Sequence, residues 1–436
     1  MTNKTSILEE LLQETRGVLQ NLPDFRKKSN ATKYDMLSAG IGAFAVFFMQ
    51  DQSFLSNQIR LMNNIGQNNF TTLFGIEKIP SQNQIRNILD QVHPDNLCGL
   101  YDKSLEVMQK HGGLEEFKYL PDSYLIALDG VEYHSSQKVK CECCNSRTHK
   151  SATTYYHSMV ASCIVSPDLK EAIPLIPEFI SSNVEASKQD CENAGVKRWI
   201  EKHKERYRHL KPTFLGDDLY SKESICKLII AEEMHFIFVC KPDSHKTLYE
   251  YLHGIECKSK SNIIKDRHKK YRYDYKYLNG VPIKDGKEVL AVNWIDVRIT
   301  DLSKNKEIYH NSFITNHDIT DDNVAKLAAS GRARWKIENE NNNTLKTKGY
   351  NFEHNYGHGK KHLSSVLASL ILVAFLHHTI ASRLCQVYIR ARTKLGTRIN
   401  FWNTLRTITS ILVFASWTSL LTMVYAPPDR LSRERF

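Results

Sequence analysis

Three acidic residues lie where carboxylates could hold divalent metal ions. Asp129 ends the apolar run 124–128, Asp217 follows the short run 213–216, and Glu338 lies in a segment with helical patterning. A carboxylate at the end of a buried strand is costly to remove from water unless it is paired or bound to a metal. Each aspartate alone, next to a glycine, is more typical of a turn than of a metal site. Together the three suit phosphoryl transfer, in which two hard cations about 4 Å apart activate a nucleophile and stabilise the leaving oxygen.

The orientation of the glutamate can be predicted by treating residues 320–346 as one helix. At about 100° per residue, Glu338 falls beside the apolar stripe that includes Val324, whereas Glu340 falls on the opposite face. Glu338 is therefore expected to point inward and Glu340 to solvent. Arg334 and Lys346 flank the same stripe and could bind phosphate oxygens. A buried salt bridge of Glu338 with these cations is the alternative.

A basic, tyrosine-rich segment precedes this helix. The whole chain has a formal net charge of +11, and residues 258–276 contain eight Lys or Arg and two Asp, a net charge of +6. Arg272 and Tyr273 belong to an alternation that places four tyrosines on one face of a strand. The segment is either a DNA-facing β arm or an edge strand whose tyrosines pack inward. Asn279-Gly280 predicts a hairpin turn after it.

The elements that must position these residues form a mixed α/β order. Residues 1–115 read as helical, either a DNA-binding module or a packing module. Short apolar runs at 124–129, 155–165 and 172–180 predict three strands, followed by helix, strand, helix and strand up to residue 240. Further strands are predicted in 241–316, and helices are predicted after residue 320 and from residue 363.

A cysteine cluster offers a second kind of metal site. Cys141, Cys143 and Cys144, followed by His149 and His157, could bind zinc through thiolate and imidazole. We interpret the Cys-x-Cys-Cys arrangement as lacking the usual CxxC pair, and no second pair follows. Packing cysteines in a loop are the alternative, and we expect that alternative rather than a structural zinc ion.

Nothing in the composition indicates export or a membrane span. The opening residues 1–15 are largely polar, and ten cysteines without a secretory context do not predict disulfides. The apolar runs 363–380 and 411–426 are interrupted or short, so both are expected to be buried helices. We expect a cytoplasmic protein that does not bind membranes.

The three acidic motifs resemble those of a known enzyme family. The stretches 125–130, 216–221 and 331–340 are similar to the DDE transposases of bacterial insertion sequences that carry a Y-x2-R-x3-E-x6-K signature and a β insertion. Asp129 and Asp217 match the two aspartates of the family, and Asp217 to Tyr220 fits Asp-x-x-Tyr. Arg334 precedes Glu338 by the expected four residues. There are two departures: glycine replaces the signature tyrosine at position 331, and the lysine comes one residue late.

The resemblance implies a fold, a reaction and partners. The fold would be an RNase H-like (retroviral-integrase-like) α/β domain in residues 120–240 and 317–380, with a β-rich insertion at 241–316, a helical N-terminal domain at 1–115 and a helical tail at 381–436. Two Mg²⁺ ions, replaceable by Mn²⁺, would bind the three carboxylates. A homodimer in the nucleoid would cut transposon ends and join them to target DNA. The alternatives are a nuclease of the same fold without strand transfer, or an inactive DNA-binding derivative. The DNA contacts expected under this interpretation are Arg334, Lys346, Tyr220, Arg332, Tyr273 and Arg272.

Overall fold

The protein is a mixed α/β structure built around one large mixed sheet. The computed structural model describes residues 6–27, 33–61, 68–181, 191–266 and 269–427. Fourteen α-helices occur in these ranges: α1 Ile7–Gln20, α2 Met36–Phe48, α3 Phe54–Leu61, α4 Gln82–Leu89, α5 Cys98–Lys110, α6 Glu192–Tyr207, α7 Glu223–Ala231, α8 Lys246–His253, α9 Val324–Arg332, α10 Asn343–Thr347, α11 Leu363–Leu384, α12 Gln386–Leu395, α13 Arg398–Ile411 and α14 Trp417–Tyr425. The predicted helix at 185–208 is α6, and residues 185–190 lie outside the described ranges.

Twelve strands form the sheet. Their bounds are β1 Lys118–Leu120, β2 Ser123–Ser136, β3 Asn145–His149, β4 Ala152–Val165, β5 Ile173–Pro174, β6 Glu178–Ile180, β7 Thr213–Gly216, β8 His235–Val239, β9 Lys258–Asp266, β10 Lys269–Pro282, β11 Ala291–Asp301 and β12 Lys306–Thr315. The main order is β3-β4-β2-β7-β8-β12-β11-β10-β9, while β1 pairs with β2, and β5 and β6 pair with β4. Strands β2, β7 and β8 are parallel, and the other neighbours are antiparallel.

The central strand β2 is longer than the sequence indicated. The predicted strand ended at Asp129, but β2 continues to Ser136, because its second half stays paired with β4 across a bulge near Glu132. Its first half is apolar on both faces and fully buried, as expected for a strand between neighbours whose faces are covered by helices. Asp129 is therefore fixed in the middle of a long strand rather than in a turn.

The basic segment extends the same sheet. Strands β9 to β12 join it through the pairing of β12 with β8, and β9 is the outer strand. The predicted hairpin at Asn279-Gly280 is wrong: β10 runs through this dipeptide to Pro282, with a register shift between Leu278 and Val281. Gly280 has a φ of 78°, a value found both in β-bulges and in hairpin turns. The Asn-Gly dipeptide alone therefore could not distinguish a bulge from a turn.

The alternating tyrosines of β10 pack inward. Tyr275 is 4% and Tyr277 1% exposed, and the Tyr277 hydroxyl donates a hydrogen bond of 2.8 Å to Asp321. Arg332 of α9 stacks over Tyr273 and over Tyr309 of β12, at 5.9 and 4.7 Å from the ring centroids. Of the two interpretations of the tyrosine face, the geometry favours packing against α9.

Helices from both ends of the chain pack together around α11. This 22-residue helix is long and apolar enough to cross a membrane, but 89% of its most apolar window is buried inside the fold, as expected for a core helix. Its buried polar residue His377 lies 3.0 Å from the Ser104 hydroxyl of α5 and 3.5 Å from that of Thr15 in α1. The expectation of one buried helix at 411–426 is wrong, because residues 411–413 are exposed and only α14 follows.

The acidic helix at 320–346 is not continuous. Helix α9 ends at Arg332, and residues 337–342 form a π-helical segment before α10. The N–H of Asn343 donates to the carbonyl of Glu338, five residues back, which is the π pattern. A constant step of about 100° per residue therefore fails after Arg332.

Candidate active site

Asp129 lies on β2, and Asp217 directly follows the neighbouring parallel strand β7. The register of β2 and β7 pairs Leu125 with Thr213 and Ala127 with Leu215. Extended two residues further, past the end of β7 at Gly216, this register would bring Asp217 opposite Asp129, and the charge of Asp217 does act on Asp129. Neighbouring strands are about 4.8 Å apart, so the two carboxylates share one end of the sheet.

The π-helical segment docks on Asp129. The buried side chain of Asn342 donates a hydrogen bond of 2.9 Å to Oδ2 of Asp129. Burial, and after it the negative charge of Glu338, raises the pKa of Asp129 to about 7, with smaller contributions from the charges of Glu192 and Asp217. Four acidic side chains therefore act on one another here, and the positive charge of Arg334 only partly offsets them.

Glu338 lies at the solvent-facing side of this cluster. Its side chain is 47% exposed and forms an ion pair of 2.5 Å with Arg334 one turn earlier. The expected inward orientation of Glu338 is therefore wrong, and Glu340 is the less exposed of the two, because the break after α9 and the π turn rotate the segment. The salt bridge considered as an alternative is present, but it is open to solvent rather than buried.

Sequence reasoning missed a fourth carboxylate, Glu192. It is the first residue of α6, and it accepts hydrogen bonds from the Tyr220 hydroxyl and from the N–H of Gly130. Burial raises the pKa of Glu192, with a further contribution from the charge of Asp217. Gly130 is required for this approach, since a Cβ at that position would collide with the Glu192 carboxylate. The only sequence feature that could have indicated this contact is the Asp129-Gly130 dipeptide, because a glycine beside the aspartate leaves space for another side chain.

Tyr220, for which we expected a DNA contact, is 1% exposed. Its hydroxyl reaches only into the cluster, so in this conformation it positions Glu192 and cannot touch a duplex. Next to it, Asp218 accepts a 2.7 Å hydrogen bond from the N–H of Lys241 and another from Ser244, which ties the end of β7 to the end of β8. Asp217 accepts from the N–H of Leu219 at 2.9 Å, which orients it at the strand end.

The cations expected to bind phosphate do not all lie near the cluster, because Arg272 is on β10, five strands from β2 in the order of the sheet. Lys346 forms a 2.7 Å ion pair with Glu353, and Arg272 forms one of 2.8 Å with Asp274. Arg334 is adjacent to the carboxylates, as its effect on Asp129 shows. Arg332 and Tyr273 are engaged with each other on the tyrosine face.

The departure at position 331 has a packing reason. Gly331 is buried in α9 against Phe313 of β12, and a Cβ would lie 2.8 Å from that ring. The tyrosine of the signature could not be accommodated here without moving the helix from the sheet.

The donor set fits hard divalent cations. Mg²⁺ takes oxygen ligands, and the carboxylates of Asp129, Asp217 and Glu338 are of that kind. Among the described residues, however, the ligand atoms that lie close enough to hold one ion belong to a group of cysteines and histidines and not to these carboxylates. Burial is the main cause of the raised pKa of Asp129, the neighbouring negative charges add to it, and a bound cation would relieve that added part.

The cysteine cluster is arranged differently from our expectation. Cys141 and Cys144 meet His157 of β4 and His358, with one ligand atom of each within 4.8 Å of all the others. Among the described residues Cys143 and His149 are not part of this group. Cys141 and Cys144 do have the CxxC spacing, which the intervening Cys143 concealed.

A cavity of about 820 Å³ lies between α8 and strands β9 to β12, and none of Asp129, Asp217 or Glu338 lines it. A comparison of the sequence with protein-family models gives no match, and a search of curated proteins gives none either.

Proposed function

We propose that the protein is a DDE transposase with an RNase H-like catalytic domain, which cleaves DNA at transposon ends and joins those ends to target DNA. One observation carries the proposal: Asp129 lies on β2, Asp217 follows the parallel neighbour β7, and the charges of Glu338 and Asp217 both act on Asp129. Three antiparallel strands followed by two parallel, helix-linked strands support the fold that the family resemblance implies. The resemblance to the DDE motif, taken alone, would not say whether these residues are close in space.

Each side chain has a distinct role in this proposal. Asp129, Asp217 and Glu338 would hold two Mg²⁺ ions, with Mn²⁺ as a substitute, and these ions activate the attacking hydroxyl and stabilise the leaving oxygen. Asn342 fixes the orientation of the Asp129 carboxylate through its hydrogen bond. Arg334 is placed to exchange Glu338 for a phosphate oxygen when DNA enters. Hydrolysis and strand transfer are both in-line displacements at phosphorus, so one site serves both.

A duplex would approach the exposed side of the cluster. Glu338 and Trp335 are exposed there, at 47% and 44%, and the net positive charge favours a polyanion. On β10 the exposed positive charges, Arg272 and Lys276, alternate with the tyrosines and face away from α9. A homodimer on paired ends in the cytoplasm, at the nucleoid, completes the proposal and follows from the resemblance.

The test is cleavage and joining of the native element ends. The purified protein is incubated with a plasmid carrying the DNA that flanks its own gene, with Mg²⁺ or with EDTA. We expect metal-dependent nicking that falls at least about 10²-fold in Asp129→Asn, Asp217→Asn and Glu338→Gln, because each change removes a metal ligand. Glu340→Gln, a matched change two residues away, should retain activity.

The outcome also separates the related functions. A pre-cut end that is joined to target plasmid identifies a transposase, whereas nicking without joining identifies a nuclease of the same fold. Binding of the ends without any metal-dependent nicking, in a folded wild-type protein, would refute catalysis and leave a DNA-binding derivative.

A further inference from the structure

Four soft ligands meet at the far end of β2 from the acidic cluster. Cys141 and Cys144 lie in the loop between β2 and β3, His157 is on β4, and His358 is in the segment that precedes α11. His157 is 2% and His358 9% exposed, and Cys144 is 8% exposed. Chain segments more than 200 residues apart are thus brought to one small, largely buried site.

Four of the six separations between ligand atoms match a tetrahedron around one ion, and the other two are within 4.8 Å. The two sulfurs are 3.8 Å apart. Nε2 of His157 is 3.4 Å from Cys141 Sγ and 3.5 Å from Cys144 Sγ, and Nε2 of His358 is 3.3 Å from Cys144 Sγ. With Zn–S of about 2.3 Å and Zn–N of about 2.0–2.1 Å, tetrahedral angles require about 3.8 Å between sulfurs and about 3.5 Å between sulfur and nitrogen.

The ligand chemistry agrees with this geometry, because thiolate sulfur and imidazole nitrogen are ligands that Zn²⁺ prefers. Two thiolates and two neutral imidazoles would leave a zinc complex without net charge, which suits a site largely removed from water.

We propose that Cys141, Cys144, His157 and His358 form a structural Zn²⁺ site. All four ligands come from the protein, so no position is left open for substrate, as in structural rather than catalytic zinc sites. His134 of β2 pairs with His157 across the strands and lies five residues beyond Asp129. At about 3.3 Å per residue the zinc lies roughly 17 Å from the carboxylates, too far to take part in their chemistry.

The zinc would join the loop of a β-hairpin to the segment that follows the acidic helix. Cys144 and His358 are 214 residues apart in sequence, so the cross-link closes a long loop and restricts the unfolded chain strongly. The same segment carries Glu353, the partner of Lys346. Bound zinc thereby fixes the chain directly after α10.

The test begins with the metal content of the full chain, purified without a metal-affinity step. We expect about one zinc per chain in the wild type, and at least a fivefold loss in Cys144→Ser and in His358→Asn. Cys143→Ser and His354→Asn are matched controls in the same two segments and should keep the full content. Co²⁺ exchanged into the wild type should give the visible spectrum of a tetrahedral ion with thiolate charge transfer, which Cys143→Ser preserves.

Two outcomes would overturn the proposal. The first is a folded wild type that contains no zinc and, when reduced, binds neither added Zn²⁺ nor added Co²⁺. The cluster would then consist of hydrogen-bonded thiols or of a Cys141–Cys144 disulfide, and a count of free thiols tells these two apart. Equal loss of zinc from the ligand variants and the matched controls would also contradict it. If the ligand variants fail to fold, the proposal is tested by removing metal from the wild type with a chelator. The Tm of the wild type should fall, and it should be restored by Zn²⁺ but not by Mg²⁺.

Discussion

Replacing Asp129 by asparagine should stabilise the metal-free protein while it abolishes activity. Burial and the charge of Glu338 raise the pKa of Asp129 from 3.8 to about 7. The unfolded chain therefore loses this proton near pH 4, whereas the folded protein keeps it to about pH 7. In that interval the folded state binds more protons, so the free energy of unfolding decreases as the pH rises and is lowest above pH 7.

The size of the effect follows from the difference in pKa. A difference of about 3 corresponds to at most about 4 kcal/mol at pH 8.5, and to about 2 kcal/mol at pH 5.5, where the folded state is still protonated. An unfolding entropy of about 2.1 cal/mol/K per residue, applied to 436 residues, converts 4 kcal/mol into a rise in Tm of about 4 °C. An asparagine at this position can still accept the hydrogen bond from Asn342, so the contact with the π-helical segment is retained.

The assay is thermal unfolding of wild type and Asp129→Asn at pH 5.5 and 8.5, in EDTA and in Mg²⁺. In EDTA the variant should have the higher Tm, with the larger difference at pH 8.5. Mg²⁺ should raise the Tm of the wild type much more than that of the variant, because the ion binds the ionised carboxylate. Glu340→Gln should show no pH-dependent difference. A variant no more stable than wild type at pH 8.5, or a gain that does not depend on pH, would show that burial and the neighbouring charges do not disfavour the ionised form of Asp129.

Three further changes test the surroundings of the cluster. Tyr220→Phe removes a hydrogen bond to Glu192 and should lower the free energy of unfolding by about 1–3 kcal/mol. Because this hydrogen bond lowers the pKa of Glu192, its loss should move the acid limb of the pH–rate profile of nicking to higher pH. An unchanged profile would show that Glu192 takes no part in the reaction. Gly130→Ala should displace Glu192 and destabilise the protein by about 1–3 kcal/mol in urea unfolding, an effect that Glu192→Ala in the same chain should largely suppress. Arg334→Ala should lower nicking about 10-fold or more but change stability by less than about 1 kcal/mol, because its ion pair is partly exposed; a large loss of stability would mark a structural role.

The sequence predicts the two aspartates better than the glutamate. Asp129 and Asp217 each follow an apolar run, which is a local sequence pattern that predicts a strand. Parallel strands carry the residues at their ends to the same edge of a sheet, so the two aspartates can be expected to be neighbours. Glu338 lies beyond a helix break and within a π-helical segment, where a fixed period no longer gives the orientation. The expectation that it belongs with the aspartates came from motif resemblance, and its exposure could not have been obtained from periodicity.

The residues that were missed depend on contacts between distant segments. Glu192 reaches the cluster because Gly130 lacks a side chain and Tyr220 donates to it, which no local pattern encodes. His358 follows Cys144 by 214 residues, so no spacing rule would join them. The tyrosine face of β10 was predicted correctly as a face, but its partner, α9, is set by how the sheet continues from β8 through β12.

The segment that carries Glu338 is held at several points, and this bears on how the site is positioned. Asn342 is bound to Asp129, Lys346 is paired with Glu353, and His358 lies in the proposed zinc site. A helix break followed by a π turn is weak by itself, because its backbone hydrogen bonds are fewer or less favourable than those of an α-helix. Contacts on its C-terminal side therefore have to fix the angle at which Glu338 faces the aspartates. Removal of zinc should accordingly lower the rate of nicking through Glu338 while Asp129 and Asp217, which are held by the sheet, stay in place.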